Sequence, residues 1–340
     1  MSTGSSPAKG AGTRRPTLQD VATAANVSMM TVSRALNGHN RVSAATRDRV
    51  LAEAERLGYR PSSTARSLRS NQSYLIGVFS PNMMMPLHSE LVLGAQEAAA
   101  ERGYKLLMDV DVTSPPGHHP FVSDGDIIMG SPNDQERRRP YFDRLRTACM
   151  MSSAVELDSS NTDLALATYH AIQHLITVGY RRIGLIQHPK SPAEAGYQRA
   201  VVEHGIEAPD TLVHTVPNDG TGIREAIDAL MVRSIRPDAL IVVSVAATPM
   251  ALRHLRMHGI QVGRDLGFIG TEASRTTWGD LMSPAITAIQ IPGYAIGAAA
   301  ARRVIERLRG DTSPPQLLEF PSEIVIREST PPRQIRESRH

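Results

Sequence analysis

The 340-residue chain has a single cysteine, Cys149, so no intrachain disulfide can form and the expected compartment is a reducing cytoplasm. It has no apolar run near the roughly 20 residues that a membrane-spanning helix needs, so no membrane partner is expected. The opening stretch, MSTGSSPAKGAGTRRP, holds no apolar segment and does not read as a signal peptide; its Gly, Ser and Pro make residues 1–16 a disordered tail. Catalytic motifs are missing too. There is no glycine-rich phosphate loop, no G-x-S-x-G elbow and no nucleophile grouped with a base, so the sequence reads as no enzyme and implies no cofactor.

Metal ligands are equally sparse. His170 and His174, like His254 and His258, stand four residues apart, a spacing that can hold a metal. No Cys or third ligand lies near in sequence, and both pairs read as exposed helix histidines. His118-His119 is a loop pair, and Met83-Met84-Met85 reads as a pocket wall rather than a soft-metal site. No metal is expected.

What the chain does have is an uneven charge. Residues 1–70 carry 11 Lys and Arg against 4 Asp and Glu, a local +7; the overall +3 leaves −4 for the remainder. A basic head on a slightly acidic body points to a polyanionic partner, although a merely solvated basic surface would carry the same charge.

The head reads as three short helices. In TLQDVATAANVSMMTVSRAL, Thr17 can cap a helix with Asp20 in its first turn, followed by Val21, Ala22 and Ala25 at helical spacing. That helix stops at Asn26. Ser28 caps a second, Met29 to Leu36, ended by Asn37-Gly38; a third starts after Ser43, runs through Val50, Ala54 and Leu57 and ends at Gly58. Two short helices and a tight turn make a helix-turn-helix. Most helical hairpins do not bind DNA. Here the second helix exposes Met29 and Met30 near its start, which suits contact with thymine methyls, and Arg34, which can bond guanine through two hydrogen bonds.

The segments TLQDVATAANVS, TVSRALNG, VSAATRDRV and LGYRP resemble the head of the lactose/galactose-repressor family of bacterial transcriptional regulators. The resemblance implies that Met29, Met30 and Arg34 read bases, and that Thr17, Ser28, Thr31, Ser33, Asn37, Ser43, Thr46 and Tyr59 lie on or near phosphates. It also implies that SSTARSLRS after Pro61 is a hinge helix. Nine residues are too few for a stable isolated helix. Two such helices, one per subunit, would form in the minor groove, with Ala65 on the contact face and Leu68 wedged between central base pairs. Ser62 stands where the family usually has Asn, which weakens a phosphate contact and leaves the wedge.

From Tyr74 short apolar runs alternate with amphipathic stretches. Strands are expected in YLIGVFSP, YKLLMDV, DIIMG, RRIGLIQ, LVHTV, ALIVVSV, LGFIG and AITAIQ. Helices are expected over 87–102, 134–146, 162–178, 194–204, 221–232, 248–258 and 293–309. The order resembles the family's core, itself similar to periplasmic sugar-binding proteins. Residues 110–123 are too short for the helix usually found there, and 147–160 are compressed.

The expected fold is therefore an all-α helix-turn-helix headpiece plus an α/β, two-lobed, periplasmic-binding-protein-like core with parallel sheets. The divisions are a tail (1–16), headpiece (17–60), hinge helix (61–70), effector-binding and dimerisation core (71–330) and tail (331–340). The C-terminus lacks leucine heptads, so a homodimer on a palindromic double-stranded operator is expected.

A cleft between two α/β lobes is a natural ligand site. The family's polar sugar contacts are missing here. Ala193 stands where Arg is usual, Ala247-Thr248 replaces Asn-Asp, and Thr271-Glu272-Ala273 replaces the usual Asp. A sugar hydroxyl left unpaired costs about 1–3 kcal/mol, so a typical sugar is not expected. Met83, Leu87, His88, Glu272 and Trp278 remain as pocket candidates for a more apolar or cationic effector. Two readings of the core stay open: a sensor of a small molecule, or a vestigial pocket that leaves DNA binding, and with it repression, unregulated. A non-DNA ligand-binding protein would need a signal peptide and no basic head, the reverse of what is present.

Overall fold

The structure is a computed structural model that describes residues 16–36, 42–59, 72–80, 86–109, 123–130, 146–152, 156–206, 209–217, 219–232, 236–275 and 278–333. It divides into two compact units, residues 1–73 and 74–340. The expected hinge helix and residues 134–145 of the expected helix at 134–146 lie outside the described residues.

In the first unit, α1 (Leu18–Ala24), α2 (Met29–Leu36) and α3 (Ala44–Arg56) follow from their caps. The Thr17 hydroxyl accepts the Asp20 N–H at 3.3 Å while the Thr17 N–H donates to the Asp20 carboxylate at 2.7 Å, a reciprocal capping box. Asn26, at φ 50°, takes the left-handed conformation that turns the chain into α2. Ser43 accepts the Thr46 N–H at the start of α3, and Gly58, at φ 65°, ends it. Val21, Ala22, Ala25, Val32, Ala35, Val50 and Ala54 close a miniature core, with Leu57 and Tyr59 packed against it.

Among the described residues, the second unit holds two six-stranded sheets. Its first lobe contains β1 (Leu75–Phe79), α4 (Pro86–Ala100), β2 (Lys105–Asp109), β3 (Gly125–Met129), β4 (Thr147–Met150) and β5 (Asp158–Thr162). The chain then enters the second lobe with α5 (Leu164–Thr177), β6 (Ile183–Gln187), α6 (Ala193–His204), β7 (Val213–Thr215), α7 (Ile223–Met231), β8 (Ala239–Val243), α8 (Ala247–Met257), β9 (Gly267–Ala273) and β10 (Thr287–Ile291). It returns to the first lobe in α9 (Gly293–Leu308) and β11 (Leu317–Phe320), and crosses again to β12 (Glu323–Val325). The first sheet runs β11-β5-β4-β3-β1-β2 and is parallel throughout; the second runs β12-β10-β9-β8-β6-β7, with only β12 antiparallel. Strands such as β8, ALIVV, are buried at every position, as a parallel sheet covered on both faces requires. Three crossings, after β5, β10 and β11, join the lobes.

Close helix packing fixes the first lobe. A Cβ on Gly94 of α4 would sit 2.0 Å from the Tyr294 carbonyl oxygen, and one on Gly297 of α9 would sit 1.8 Å from that of Leu91. The two helices therefore touch backbone to backbone, and only glycine fits at both places.

Four strands were not expected from the sequence: β4, β5, β11 and β12. The β5 segment DSSNT is wholly polar yet buried at all five positions. Its side chains find distant partners. The Ser160 hydroxyl donates to the Ile296 carbonyl at 2.9 Å, and the Thr162 hydroxyl donates to that of Phe320 at 2.7 Å. The core also reaches beyond residue 330, where the sequence reading ended it. The Tyr180 hydroxyl donates to the Pro331 carbonyl and the Arg333 guanidinium bonds Asp238 at 2.8 Å.

Candidate functional site

The candidate nucleic-acid surface is the outer face of α2. Val32 and Ala35 point into the miniature core. Met30 and Arg34 are one turn apart on another face, as are Met29 and Ser33. Met29 is 49% exposed, Met30 62%, and Arg34 is exposed as well. Two large apolar side chains and a guanidinium thus share one solvent-facing surface, held in place by a packed helix rather than a loop.

The phosphate candidates mostly begin helices. Ser28 Oγ accepts the Thr31 N–H at 3.1 Å and lies 2.9 Å from Thr31 Oγ1; Ser43 Oγ donates to Thr46 Oγ1 at 2.9 Å. These hydroxyls satisfy one amide each, and the remaining first-turn N–H groups are the donors such a helix start offers to an anion. Thr17, Ser28 and Ser43 are exposed; Thr31, Ser33 and Thr46 are half-buried. Tyr59 is half-buried against the miniature core, so its ring has a packing role as well. Asn37, Ala65 and Leu68 lie outside the described residues.

In the second unit the carboxyl ends of β9 and β10 meet the start of α4. Glu90 of α4 is buried, and its carboxylate accepts the Arg275 N–H at 2.6 Å and the Ser274 hydroxyl at 3.3 Å. The Arg275 guanidinium lies 3.6 Å from the centre of the Tyr294 ring, and the Tyr294 hydroxyl donates to Glu97 at 2.5 Å. Helix α4 of the first lobe thus grips the loop after β9 of the second. No local sequence signal pointed to this bridge, because Glu90 and Arg275 stand 185 residues apart.

Of the pocket candidates, Leu87 is buried on α4, His88 and Trp278 are half-buried, and Met83 lies outside the described residues. Glu272 is fully buried, and its carboxylate is already engaged. It accepts from Arg327 Nη2 at 2.8 Å, Gln290 Nε2 at 2.8 Å and the Gly279 N–H at 3.0 Å. Arg327 also pairs with Asp280. The group therefore ties down the short 3₁₀ turn Trp278–Leu281. Ala193 opens α6 and is buried. Thr248 donates its hydroxyl to the Ser244 carbonyl at 2.7 Å and accepts the Thr271 N–H at 3.1 Å.

One histidine of each helical pair set aside as metal ligands has another partner. His174 Nε2 lies 2.9 Å from the Thr330 hydroxyl, and burial lowers its pKa; His258 meets Asp228 at 2.6 Å. Cys149 is buried in β4, and burial pushes its thiol up to about 12, so it stays protonated at neutral pH and is a poor nucleophile. Among the described residues, no helix is long and apolar enough to cross a membrane.

Comparison with known proteins agrees with this geometry. The family described as "Bacterial regulatory proteins, lacI family" matches residues 17–62, and the "Periplasmic binding protein-like domain" matches residues 172–330. The chain is 30% identical over 334 residues to catabolite control protein A of Priestia megaterium, covering 92% of this chain and 99% of that protein. Among solved structures it resembles a transcriptional regulator CelR–cellobiose complex, with TM-score 0.65 and 26% identity over 93% of this chain and all of that one. It also shares the fold of a lac repressor dimer bound to operator and the anti-inducer ONPF, with TM-score 0.77 and 22% identity over 94% of this chain and all of that one.

Proposed function

The chain belongs to the lacI family of bacterial regulatory proteins, DNA-binding transcriptional regulators that are not enzymes, and from that premise we propose how it reads its operator and what its core senses. Met29, Met30 and Arg34 read bases in the major groove. Thr17, Ser28, Thr31, Ser33, Asn37, Ser43, Thr46 and Tyr59 set the headpiece on the phosphates. Ala65 and Leu68 enter the minor groove. The protein works in the cytoplasm as a homodimer on a palindromic site and represses by occupying it.

The observation that carries this reading is the α2 surface, where the one charged donor is Arg34. A thioether sulfur is a weak acceptor and donates nothing, so the methionines cannot make two-point hydrogen bonds to a base. Arg34 must carry most direct polar readout, with guanine O6 and N7 as its natural partners, while the methionines favour thymine methyls. Arg34→Ala is expected to cost about 1–3 kcal/mol per half-site and to relax selection at one G·C pair. Met30→Ala should cost less and relax only a thymine preference. Titration of both variants against operators mutated one base pair at a time checks this. A methionine variant that rewrites the preferred G·C pair, with Arg34→Ala neutral, would overturn the assignment.

For the hinge, Leu68→Ala should lower operator affinity while affinity for random DNA, resting on phosphates, changes by less than about twofold. Equal losses on both DNAs would argue against a wedge.

The core senses a small molecule that is not a typical sugar. The internal bonding of Thr248 and Glu272, and the apolar side chain of Ala193, support this: few free polar groups remain at those positions to pair with hydroxyls. Leu87, His88, Trp278 and Met83 form the pocket wall, with Glu272 steadying the turn that carries Trp278. A ligand present at 100 times its Kd stabilises by about 2.7 kcal/mol. In a thermal-shift panel on the full chain, apolar amines should raise Tm and cellobiose should not. A shift with cellobiose alone would reject this effector class.

A further inference from the structure

We propose that Met29 and Met30 form a reversible oxidation site through which peroxide changes operator recognition; this rests on the reading of α2 as the base-reading helix. The described methionines differ widely in exposure, with Met108, Met250 and Met282 between the extremes at 36–38%. Met129, Met150 and Met231 are buried at 4%, 0% and 5% exposure, whereas Met29, Met30 and Met257 stand at 49%, 62% and 68%. Met29 and Met30 are adjacent in one helical turn, and no other described methionines are both neighbours in sequence and exposed. The only thiol, Cys149, is buried and protonated, so the accessible sulfur of the headpiece is thioether sulfur.

The reaction is a two-electron oxygen transfer. A thioether lone pair attacks one oxygen of hydrogen peroxide, an S–O bond forms and the O–O bond breaks. The departing hydroxide takes the proton left on the transferred oxygen and leaves as water. Sulfur is oxidised and peroxide reduced, giving methionine sulfoxide, which thiol-dependent sulfoxide reductases convert back.

The consequence follows from what a base edge presents. A thioether lies comfortably on the thymine methyl. A sulfoxide is polar, accepts hydrogen bonds and donates none. Beside thymine it loses the apolar contact and faces the O4 acceptor. Beside adenine N6–H or cytosine N4–H it finds a donor. Oxidation therefore changes the preferred sequence as well as the affinity. The headpiece stays folded, because both side chains lie outside the core built on Val21, Val32 and Val50. Bound operator should shield them, so the free regulator is the form that senses peroxide.

The test treats the full chain with hydrogen peroxide, alone and in complex with its selected operator. Peptide mass spectrometry follows oxygen uptake, and fluorescence anisotropy follows binding. Met29 and Met30 should gain one oxygen each in the free protein and be protected by operator, while Met257 is oxidised in both. Operator affinity should fall about tenfold and recover with sulfoxide reductase. A variant with Met108, Met250, Met257 and Met282 all changed to Leu should lose affinity as the parent does. Met29→Leu/Met30→Leu should lose none relative to its own untreated value. Complete oxidation at both positions with unchanged affinity would overturn the proposal, as would an equal loss in Met29→Leu/Met30→Leu. The base-reading assignment fails separately if operator gives no protection and untreated Met29→Ala/Met30→Ala binds as the parent does.

Discussion

Raising the salt from 50 to 200 mM is expected to cut operator affinity by about 10³–10⁵-fold. Each phosphate neutralised by a headpiece cation releases condensed counterions, and six to ten contacts give a loss of about that size. The charge distribution makes the effect large. Residues 1–70 carry 11 basic side chains against 4 acidic ones, while the rest of the chain is net negative and adds nothing to the attraction. Arg34 is exposed on α2, and Arg56, 63% exposed, is bonded only to Glu53 of its own helix among the contacts described for it. Titration of labelled operator by fluorescence anisotropy across this range measures the slope. A flat response would mean that the headpiece does not bind through the phosphate backbone.

Asp158→Ala should destabilise the core by about 3–5 kcal/mol, because it strands the buried Arg307 guanidinium and removes one partner of Arg303. Asp158 is 2% exposed. Its Oδ2 accepts Arg307 Nε at 2.7 Å, and its Oδ1 accepts Arg303 Nε at 3.2 Å and the Gln316 N–H at 2.9 Å. Arg303 keeps Glu306 and Asp311 as partners, but among the described residues Arg307 keeps only the carbonyl oxygens of Asp311 and Ser313. One carboxylate thus fastens the end of α9 and the approach to β11 onto β5. Urea unfolding followed by circular dichroism should show the lowered midpoint. Asp158→Asn, which keeps an acceptor without the charge, should fall between. An unchanged midpoint for Asp158→Ala would mean that the network contributes no net stability.

Those same residues mark the limit of what the sequence discloses. The headpiece helices were legible because their signals are local: Thr17 with Asp20, Ser28 with Thr31 and Ser43 with Thr46 each act within one turn. Apolar strands such as β6 and β8 were legible because burial on both faces writes a continuous hydrophobic run. Strand β5 was not, because its polar groups are satisfied by partners 145 residues away at Arg303 and 136 away at Ile296. That Met29, Met30 and Arg34 share the exposed side of α2 could be drawn from helical spacing; the base-reading role proposed for them came from the family resemblance. The effector site could not be drawn in this way. Glu272 read as a pocket candidate, and its neutralising partner Arg327 lies 55 residues further on, after an unremarkable strand. The bridge from Glu90 to Arg275 left no trace in either neighbourhood.

The most direct measurement for the account as a whole is selection of binding sites for the full chain from random duplex DNA. Two copies of one headpiece on a two-fold axis must select a palindrome. Each half-site should hold one strongly required G·C pair for Arg34, flanked by positions that favour thymine, and the best site should be lost when the half-sites are separated by extra base pairs. Enrichment of an asymmetric sequence, of half-sites with no required G·C pair, or of nothing above the starting pool would contradict the account.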